Sequence, residues 1–339
     1  MLTAVGVGEA IALPGAAAIS WVLKDGLGAL GMMLVASKFG TRFDTDTKKT
    51  KWRADILHNV GVGLELITPL APYYFLFLAS FANVCKGLAG ITSGATRAHL
   101  NKHFSKNENL GDITAKSQTQ GVAVWLGGMS IGILLSMLPI HSPGSIYIFA
   151  TFSILAIGHI FSSYKALSSV ALNTLNEQRL SLLIDHFISN FSLPNPFVLK
   201  DKETIITTPL LLKYNKIQIG SSIEQSIKNT ESLVHLFNIF KNEKYIISYN
   251  SSTSSIYILL KKDTEIVDII KAYLNAFYFK SLLPQINRNE NEIPINPQYE
   301  HSLQWANKNF NLFWKELETK QWNTSHLLLL IDDNRVNWS

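Results

Sequence analysis

Residues 66–85 read LITPLAPYYFLFLASFANVC and contain no Asp, Glu, Lys or Arg. A helix needs about 20 mostly apolar residues to cross the hydrocarbon core of a bilayer, and this stretch has that length. Two further windows without these residues follow at Gly121–Ile140 and Gly144–Tyr164, and a fourth, Leu2–Leu23, contains only Glu9. The chain is therefore predicted to enter a membrane several times.

The composition divides the 339 residues into two parts. Residues 1–175 are rich in Ala, Gly, Leu, Ile and Phe and hold 13 Lys or Arg against 8 Asp or Glu, whereas residues 176–339 hold 17 of each. All the excess positive charge thus lies in the apolar part, as in membrane proteins whose Lys and Arg gather in cytoplasmic loops and near anionic lipid. We expect a mainly α protein with a helical membrane domain at 1–175, a helical extension or linker at 176–200 and a soluble α+β domain at 201–339.

Loop charges indicate on which side of the membrane the connections lie. Residues 39–59 and 97–120 each hold at least four Lys or Arg, whereas residues 141–145 hold none. The first two loops are therefore expected on the cytoplasmic side and the third on the other. Two successive loops on one side require an even number of crossings between them, which a single helix across residues 60–84 does not supply.

Prolines supply the missing turns. Proline is tolerated at the start of a helix but not inside one, so Pro69 and Pro72 are expected to separate helices at 53–68 and 72–98. Pro14 is expected to separate 1–13 from 15–38 in the same way, and a third turn is expected at 141–143. The prediction is a multi-pass bundle of about five to six helices, arranged as three hairpins.

Ionisable side chains inside these apolar segments are the candidate functional residues, because a charge at membrane depth is costly unless it is paired or hydrated. Besides Glu9, they are Lys24, Asp25, Glu65 and Lys86. Lys24 and Asp25 are adjacent and point to different sides of a helix, so each is expected to find its partner elsewhere in the bundle, in Glu65 or Lys86. A second interpretation places both lysines near helix ends, where their ammonium groups reach the lipid headgroups.

Polar junctions between the helices hold further charges that are expected to form ion pairs. In the first junction, Arg42 and Arg53 are expected to pair with Asp44 and Asp55. The junction candidates are Arg42, Asp44, Arg53, Asp55, Arg97, Asp112 and Lys116.

Known catalytic and metal-binding motifs are absent from the sequence, and we expect neither an enzyme nor a bound cofactor or metal. Asp44 and Asp46 have the spacing of a calcium loop but lack its Gly and distal Glu. His99 and His103 lie at i and i+4, as in a zinc protease helix, but Leu100 stands where the catalytic Glu belongs. No nucleic-acid partner is expected either.

Six motifs occur in order along the first part of the chain. They are SWVLKDGLG (20–28), FGTRFD (39–44), ELITPL (65–70), ANVCKGLAG (82–90), GATR (94–97) and NLGDITAK (109–116). Together they resemble the root-UVB-sensitive (RUS) family, and the resemblance covers most of residues 4–180. Family members usually have more sequence before residue 5, so the chain is expected to lack part of its N-terminus.

The resemblance implies a membrane-associated eukaryotic protein without established enzymatic activity. Plant members of the family act in early seedling growth, in the UV-B response and in processes tied to vitamin B6 and auxin, and they are thought to work together as partners. These expectations come from the family and not from the composition or spacing of this chain.

The second part of the chain reads as a small soluble α+β domain. One long helix over 144–190 is expected to lead into it. Two β-rich runs, 244–249 and 256–261, indicate a hairpin. Apolar residues at helical spacing then indicate one amphipathic helix after Asp263 and another at 299–318, and Leu327–Ile331 is expected to form a closing strand.

Two functions from different classes remain open at this point. The first is a carrier or transporter of a small polar metabolite, related by the resemblance to vitamin B6 or auxin, and it depends on the charges in Gly-rich helices. The second is a membrane-bound scaffold or adaptor that works with a second RUS-like protein or a second copy of the chain. A membrane enzyme ranks last, because neither a nucleophile–base pair nor a complete metal site occurs. In each case the partner is the lipid bilayer, in an organelle that the sequence leaves open.

Overall fold

A computed structural model describes residues 14–39, 45–137, 146–206, 217–226, 230–286 and 296–336. The chain falls into two units, residues 1–169 and 170–339, and each unit is described by itself.

Five helices are described in the first unit. They are α1 (Pro14–Phe39), α2 (Thr47–Ile67), α3 (Phe75–Phe104), α4 (Leu110–Ser136) and α5 (Ile146–Ser169). Asp46 caps the start of α2 by accepting a hydrogen bond from the amide of Lys49, which satisfies one of the free N–H groups of the first turn.

The proline-rich connection between α2 and α3 makes the hairpin that the sequence predicts. Two single turns of 3-10 helix, Thr68–Leu70 and Pro72–Tyr74, join the helices, each with proline among its first residues. Thr47 Oγ1 lies 2.6 Å from His99 Nδ1, so the beginning of α2 lies beside the end of α3. This hairpin is confirmed. The turns expected at Pro14 and 141–143 involve residues 1–13 and 138–145, which lie outside the described residues.

Three of the described helices are long and apolar enough to cross a membrane, namely Pro72–Phe104, Leu110–Ser136 and Ile146–Ser169. The first turns of α2 are too polar for this, since they carry Lys48, Lys49 and Lys51. A count of five to six crossings therefore stays a prediction.

Small residues form the face through which α3 packs against α1 and α2. The spacing of three or four places them on one side of the helix. Small side chains let helix backbones approach closely, which is how helices associate where lipid tails are as apolar as the protein. The buried residues of this face are Ala79, Ala82, Cys85, Ala89, Thr92 and Thr96.

The second unit combines short strands with helices around a single core. Its elements are β1 (Thr174–Asn176), α6 (Glu177–Asn190), α7 (Pro196–Leu199), β2 (Ile217–Ile219), α8 (Ile223–Ser226), α9 (Thr230–Ile239), β3 (Tyr245–Asn250), β4 (Ser255–Leu260), α10 (Ile266–Ile286), α11 (Asn296–Thr319) and β5 (Asn323–Leu328). Strand β4 is central in a three-stranded sheet, parallel to β2 and antiparallel to β3, and β1 pairs with β5 in parallel.

The predicted hairpin and both amphipathic helices of this unit are confirmed. Tyr245 pairs with Leu260 and Asn250 with Ser255 across the hairpin. The closing strand lies earlier than predicted, because β5 ends at Leu328 and Ile331 makes only an isolated bridge to Ile219.

The single helix predicted over 144–190 is wrong. Helix α5 ends at Ser169, and β1 stands between it and α6. The backbone is held extended there because Thr174 pairs with Asn323. Asn176 then caps α6, its side chain accepting a hydrogen bond from the amide of Arg179 at 2.9 Å.

The core of the second unit includes the segment for which the sequence suggested an extension or linker. Helix α6 contributes the fully buried Leu180, Leu183, Ile184 and Phe187 to a core that also contains side chains of β3, β4, α10 and α11. Burial of such side chains is the main favourable term in folding, so residues 176–200 pack as part of this unit.

Candidate functional site

An ion pair joins α2 and α3 in the first unit. Lys86 donates to the carboxylate of Glu65, and the two side chains are 27% and 24% exposed. Gly61 makes this possible, because a Cβ at that position would lie 2.8 Å from Cγ of Lys86. The pairing of Glu65 with Lys86 thus occurs at a close contact between the two helices.

A second ion pair lies on α1 and reaches α3. Lys24 Nζ is 2.9 Å from Asp25 Oδ1, and the side chains are 6% and 64% exposed. Asn83 of α3 donates to Asp25 Oδ1 at 2.8 Å. The expectation that these neighbours on α1 pair poorly with each other is wrong, because the long, flexible lysine side chain bends back to the adjacent carboxylate.

These two pairs form one polar cluster. Asn83 and Lys86 are three residues apart on α3 and therefore lie on the same side of it. We call Lys24, Asp25, Glu65, Asn83 and Lys86 the polar cluster; it contains two ammonium groups, two carboxylates and one amide, contributed by three helices.

The α1 side of the polar cluster is open. Asp25 is 64% exposed, and Val22, one turn earlier on α1, is exposed as well. A carboxylate in such surroundings is stable only where water, a ligand or a further polar group reaches it. With 64% of its side chain exposed, Asp25 is the most accessible of the four charged groups in the cluster.

A separate polar group lies between α2 and α5. Asp55 accepts hydrogen bonds from Lys51, one turn earlier on α2, and from the hydroxyl of Ser163 on α5. His159 places Nε2 4.0 Å from Asp55 Oδ1 and Nδ1 3.3 Å from Asn59 Oδ1. The partners of Asp55 in this group are thus Lys51 and Ser163, which the sequence did not suggest.

The remaining junction candidates have separate positions. Arg42 and Asp44 lie outside the described residues, so their predicted pairing with Arg53 and Asp55 stays a prediction. Asp112 and Lys116 form an exposed pair at i and i+4 on α4, 2.7 Å apart. The Arg97 guanidinium stands 3.9 Å from the point where a Cβ of Gly121 would be.

Sequence reasoning missed Asn83, His159 and Ser163, because it searched the apolar segments for charged residues only. Asn83 stands within the motif ANVCKGLAG, and His159 lies in an apolar span without Asp, Glu, Lys or Arg. A search for any strong hydrogen-bonding side chain in these windows would have found both.

The two histidines with zinc-protease spacing have other contacts. His99 hydrogen-bonds Thr47, and the ring of His103 packs edge-on against Phe104. Among the described residues, no group of three or more His, Cys, Asp or Glu side chains is arranged to hold a metal ion.

The polar cluster holds charges of both signs that an ionised small molecule could contact. A charged group of a ligand can take the place of one member of an ion pair if it carries the same charge as that member. The other member then keeps an opposite charge beside it and is not left unpaired in apolar surroundings.

Comparison with known proteins gives matches along almost the whole chain. A family model described as the vitamin B6 photo-protection and homoeostasis domain matches residues 1–190, and one described as the C-terminal part of root UVB sensitive proteins matches residues 193–338. The resemblance seen in the motifs is confirmed.

Three Arabidopsis thaliana proteins illustrate the similarity. Root UVB sensitive 6 is 33% identical over 87% of this chain and 57% of its own length. Root UVB sensitive 3 is 28% identical over 100% of this chain and 76% of its own. Root UVB sensitive 2, chloroplastic, is 30% identical over 92% and 70%. The chain thus spans little more than half of the first of these proteins. No solved structure matches it.

Proposed function

The chain belongs to the root UVB sensitive family, and on that premise we propose that it is a multi-pass membrane protein that carries a small polar metabolite. One observation supports this most directly: three helices of a largely apolar unit contribute two ion pairs and an amide to one partly exposed cluster. Ionisable groups at membrane depth mark ligand pathways more often than they serve packing.

The chemistry of the polar cluster favours a ligand that carries both signs of charge. Its two ammonium groups and two carboxylates balance, so a zwitterion replaces both internal pairs without leaving net charge behind. Vitamin B6 forms, which combine a basic ring nitrogen with acidic hydroxyl or phosphate groups, meet this requirement, and the description of the matching family model names vitamin B6. The proposal includes no catalytic step.

Thermal unfolding of the detergent-purified full chain tests the proposal. Pyridoxal phosphate, pyridoxine and the auxin indole-3-acetic acid are the probes, and Lys24→Ala, Lys86→Ala and Asp25→Asn are the variants. Lys116→Ala is the matched control, because Lys116 also forms an ion pair but lies on α4, outside the polar cluster. We expect one probe to raise the unfolding temperature, the cluster variants to remove that rise, and the control to keep it.

Uptake of the stabilising probe into liposomes that contain the full chain then separates carrying from binding. A carrier accumulates or exchanges the labelled probe, and Asp25→Asn stops the exchange while the variant still unfolds cooperatively. Stabilisation without any exchange would leave a binding protein and reject the carrier function. The absence of any shift in cooperatively unfolding protein would reject the ligand site itself.

A second function, a membrane-bound scaffold that binds a second RUS-like protein or a second copy, is favoured by α4. No residue of α4 is buried. Gly28, Gly31, Gly61 and Gly87 all face a neighbouring helix, whereas nothing lies within 4 Å of a Cβ added at Gly128 or Gly132. Glycines four residues apart on an apolar helix are a known packing face between membrane helices.

Substitution of the α4 glycines distinguishes the two functions. In Gly128→Leu/Gly132→Leu, a scaffold loses self-association or partner binding, measured by energy transfer between labelled copies in liposomes, whereas a carrier keeps its ligand response. The control is Gly111→Leu, at the start of the same helix, which also has open space in front of it. Unchanged association in the double variant would count against the scaffold.

A further inference from the structure

The second unit carries apolar side chains that its own core leaves uncovered. Phe197 is 70% and Val198 54% exposed. Both belong to α7, the single helical turn Pro196–Leu199. Lys200 follows, with Nζ 5.3 Å from the centre of the Phe197 ring. Isolated exposed apolar residues are common on protein surfaces, so the way these two are held is what matters.

Buried residues on both sides fix this turn to the unit. Leu193 and Leu199 are buried in the core. The amide of Leu193 donates to Glu316 at 3.1 Å, and the indole N–H of Trp322 donates to the carbonyl of Pro194 at 3.0 Å. The segment before and after the two exposed residues is therefore firmly attached.

Local sequence also makes the turn rigid. The side chain of Asn195 caps it by accepting a hydrogen bond from the amide of Val198 at 2.9 Å, and Pro196 occupies the first helical position, where its fixed φ suits the helix. We call residues 194–200 the Phe197 wedge: a preorganised projection with an apolar tip. A rigid projection loses little conformational entropy when it inserts into a partner.

Charges at the base of the Phe197 wedge fit an anionic surface. Lys200 and the exposed Lys202 stand beside the apolar tip. Of the nearby carboxylates, Glu203 is engaged by the buried Arg179, whereas Asp201, 74% exposed, pairs with Lys200, whose side chain is 18% exposed. An apolar tip with lysines at its base, whose stems reach back to water, is the arrangement of segments that insert into the bilayer interface.

The covalent chain supplies the reason to choose lipid over other partners. Residues 170–173 alone connect the end of α5, a helix apolar enough to cross a membrane, to β1 of the second unit. A short tether gives the second unit a high effective concentration at the membrane, so that weak insertion of two apolar side chains is sufficient.

We propose that the Phe197 wedge inserts Phe197 and Val198 into the headgroup region of the bilayer, while Lys200 and Lys202 bind anionic lipid headgroups. This inference rests on the membrane insertion of the first unit proposed above. The second unit is then held against the membrane surface by its own contact as well as by the chain.

The experiment uses the full chain in liposomes with a single environment-sensitive probe. Cys85, the one cysteine, is first changed to Ala. Val198→Cys then carries an NBD fluorophore, and Asn307→Cys, at an exposed position of α11, carries the same fluorophore as the matched control. We expect the probe at 198, and not at 307, to shift to shorter wavelength and to be quenched by lipids that carry a nitroxide near the headgroup.

Two further variants test the chemistry of the contact. Phe197→Ser in the labelled chain should abolish the quenching, and Lys200→Glu/Lys202→Glu should abolish its increase when phosphatidylglycerol is added to phosphatidylcholine. Equal iodide quenching at 198 and 307 in liposomes would overturn the proposal. A second result would also overturn it: the probe at 198 is shielded from iodide in detergent, and this shielding disappears when the protein is diluted. A second copy of the chain would then cover the wedge.

Flotation of the same liposomes separates the two proposals. Protein that floats with lipid after an alkaline wash, but leaves the probe at 198 in water, rejects the wedge alone. Protein that the wash removes from the lipid rejects membrane insertion of the first unit, and with it the basis of the wedge.

Discussion

Single residues in the first unit show how charges are kept in apolar surroundings. Lys86 and Glu65 each retain about a quarter of their exposure and hold each other across a helix contact. Lys24 is almost fully buried, and its ammonium group is held by the neighbouring Asp25. Such pairs contribute little net stability compared with apolar residues, but each becomes costly when one partner is removed.

Removal of one partner of the Lys86–Glu65 pair should therefore lower the free energy of unfolding more than removal of both partners does. Lys86→Met and Glu65→Leu are each expected to lower the free energy of unfolding by about 2 kcal/mol, less than for a fully buried pair because both side chains are partly exposed. The double variant should lie closer to the original protein than either single one. Unfolding in detergent measures the coupling, and additive losses would show that the pair is not coupled.

Buried tyrosines should make the second unit sensitive to alkali. Burial raises the pKa of Tyr299 to about 12, and it also raises the pKa of Tyr245 and Tyr273. The folded state keeps these hydroxyls protonated while the unfolded chain ionises near pH 10. Stability is therefore complete below pH 10 and decreases as the pH rises toward 12, by about 1.4 kcal/mol per pH unit for each tyrosine.

Tyrosinate absorbance and hydrogen exchange of β3 and β4, recorded together, measure this effect. We expect the buried tyrosines to ionise only as the strands lose protection, and Tyr273→Phe to make the loss of stability less steep. Ionisation of all tyrosines near pH 10 with the strands still protected would contradict the prediction.

Charged members of the polar cluster could be predicted from the sequence, because Lys, Asp and Glu stand out in apolar segments. Which of these residues pair with one another could not be predicted from the sequence. Which carboxylate Lys24 reaches depends on side-chain length and on the packing of α1 against α3, and neither leaves a periodic signal. Asn83 and Ser163 are uncharged, so only the structure shows them as partners of Asp25 and Asp55.

At the level of helices and strands, close approach depends on single glycines. Gly61 and Gly90 both lie inside helices, so replacement by Ala brings each the same gain in helix propensity. They differ in surroundings: a Cβ at Gly61 would lie 3.0 Å from the carbonyl oxygen of Ala82, whereas Gly90 has nothing within 4 Å. The contact between α2 and α3 therefore depends on Gly61.

Gly61→Ala should destabilise the first unit by about 1–3 kcal/mol, the usual cost of overpacking, because backbone atoms cannot move away. Gly90→Ala should be neutral or stabilising by about 0.5–1 kcal/mol. Unfolding midpoints of the two variants in the same detergent make the comparison. Equal effects would mean that α2 and α3 adjust freely to one another.

Two backbone positions in the second unit should respond in opposite directions. Gly220 has φ +76°, and a Cβ there would stand 2.0 Å from the carbonyl oxygen of Asp332. Gly220→Ala should therefore displace the C-terminal segment, with loss of hydrogen-exchange protection around Ile331. Ser254 has φ 48° in the hairpin turn, so Ser254→Gly should stabilise the unit by about 1 kcal/mol. Unchanged exchange in Gly220→Ala would contradict this view of the contact.

Elements with local signals were the ones that the sequence predicted. Pro69 and Pro72 mark the turn between α2 and α3, and short runs rich in Ile and Tyr mark β3 and β4. Strand β1 was missed because Thr174–Asn176 is extended only through pairing with β5, which lies far along the chain. The pairing is not visible in the sequence, where the apolar segment of α5 and the amphipathic segment of α6 look like one continuous helix.

On the scale of the whole molecule, two parts of different chemistry share one chain. The split in charge and apolar content along the sequence is visible without a structure, since it sums over many residues. The number of membrane crossings is not, because it depends on how α1 and α2, which carry charges in their first turns or middle, are accommodated by lipid.

The arrangement of loops about the membrane gives the last prediction. The hydrogen bond between Thr47 and His99 brings the start of α2 to the end of α3, so the basic segments around Lys49 and Lys106 should lie on one side of the bilayer. Single cysteines in the Cys85→Ala chain, at Lys49, Lys106 and Ser142, are labelled in sealed liposomes by a reagent that does not cross the bilayer. Lys49→Cys and Lys106→Cys should react from the same side and Ser142→Cys from the opposite one, because α4 lies between them. Reaction of positions 49 and 106 from opposite sides would reject the α2–α3 hairpin as an element that enters and leaves the membrane together.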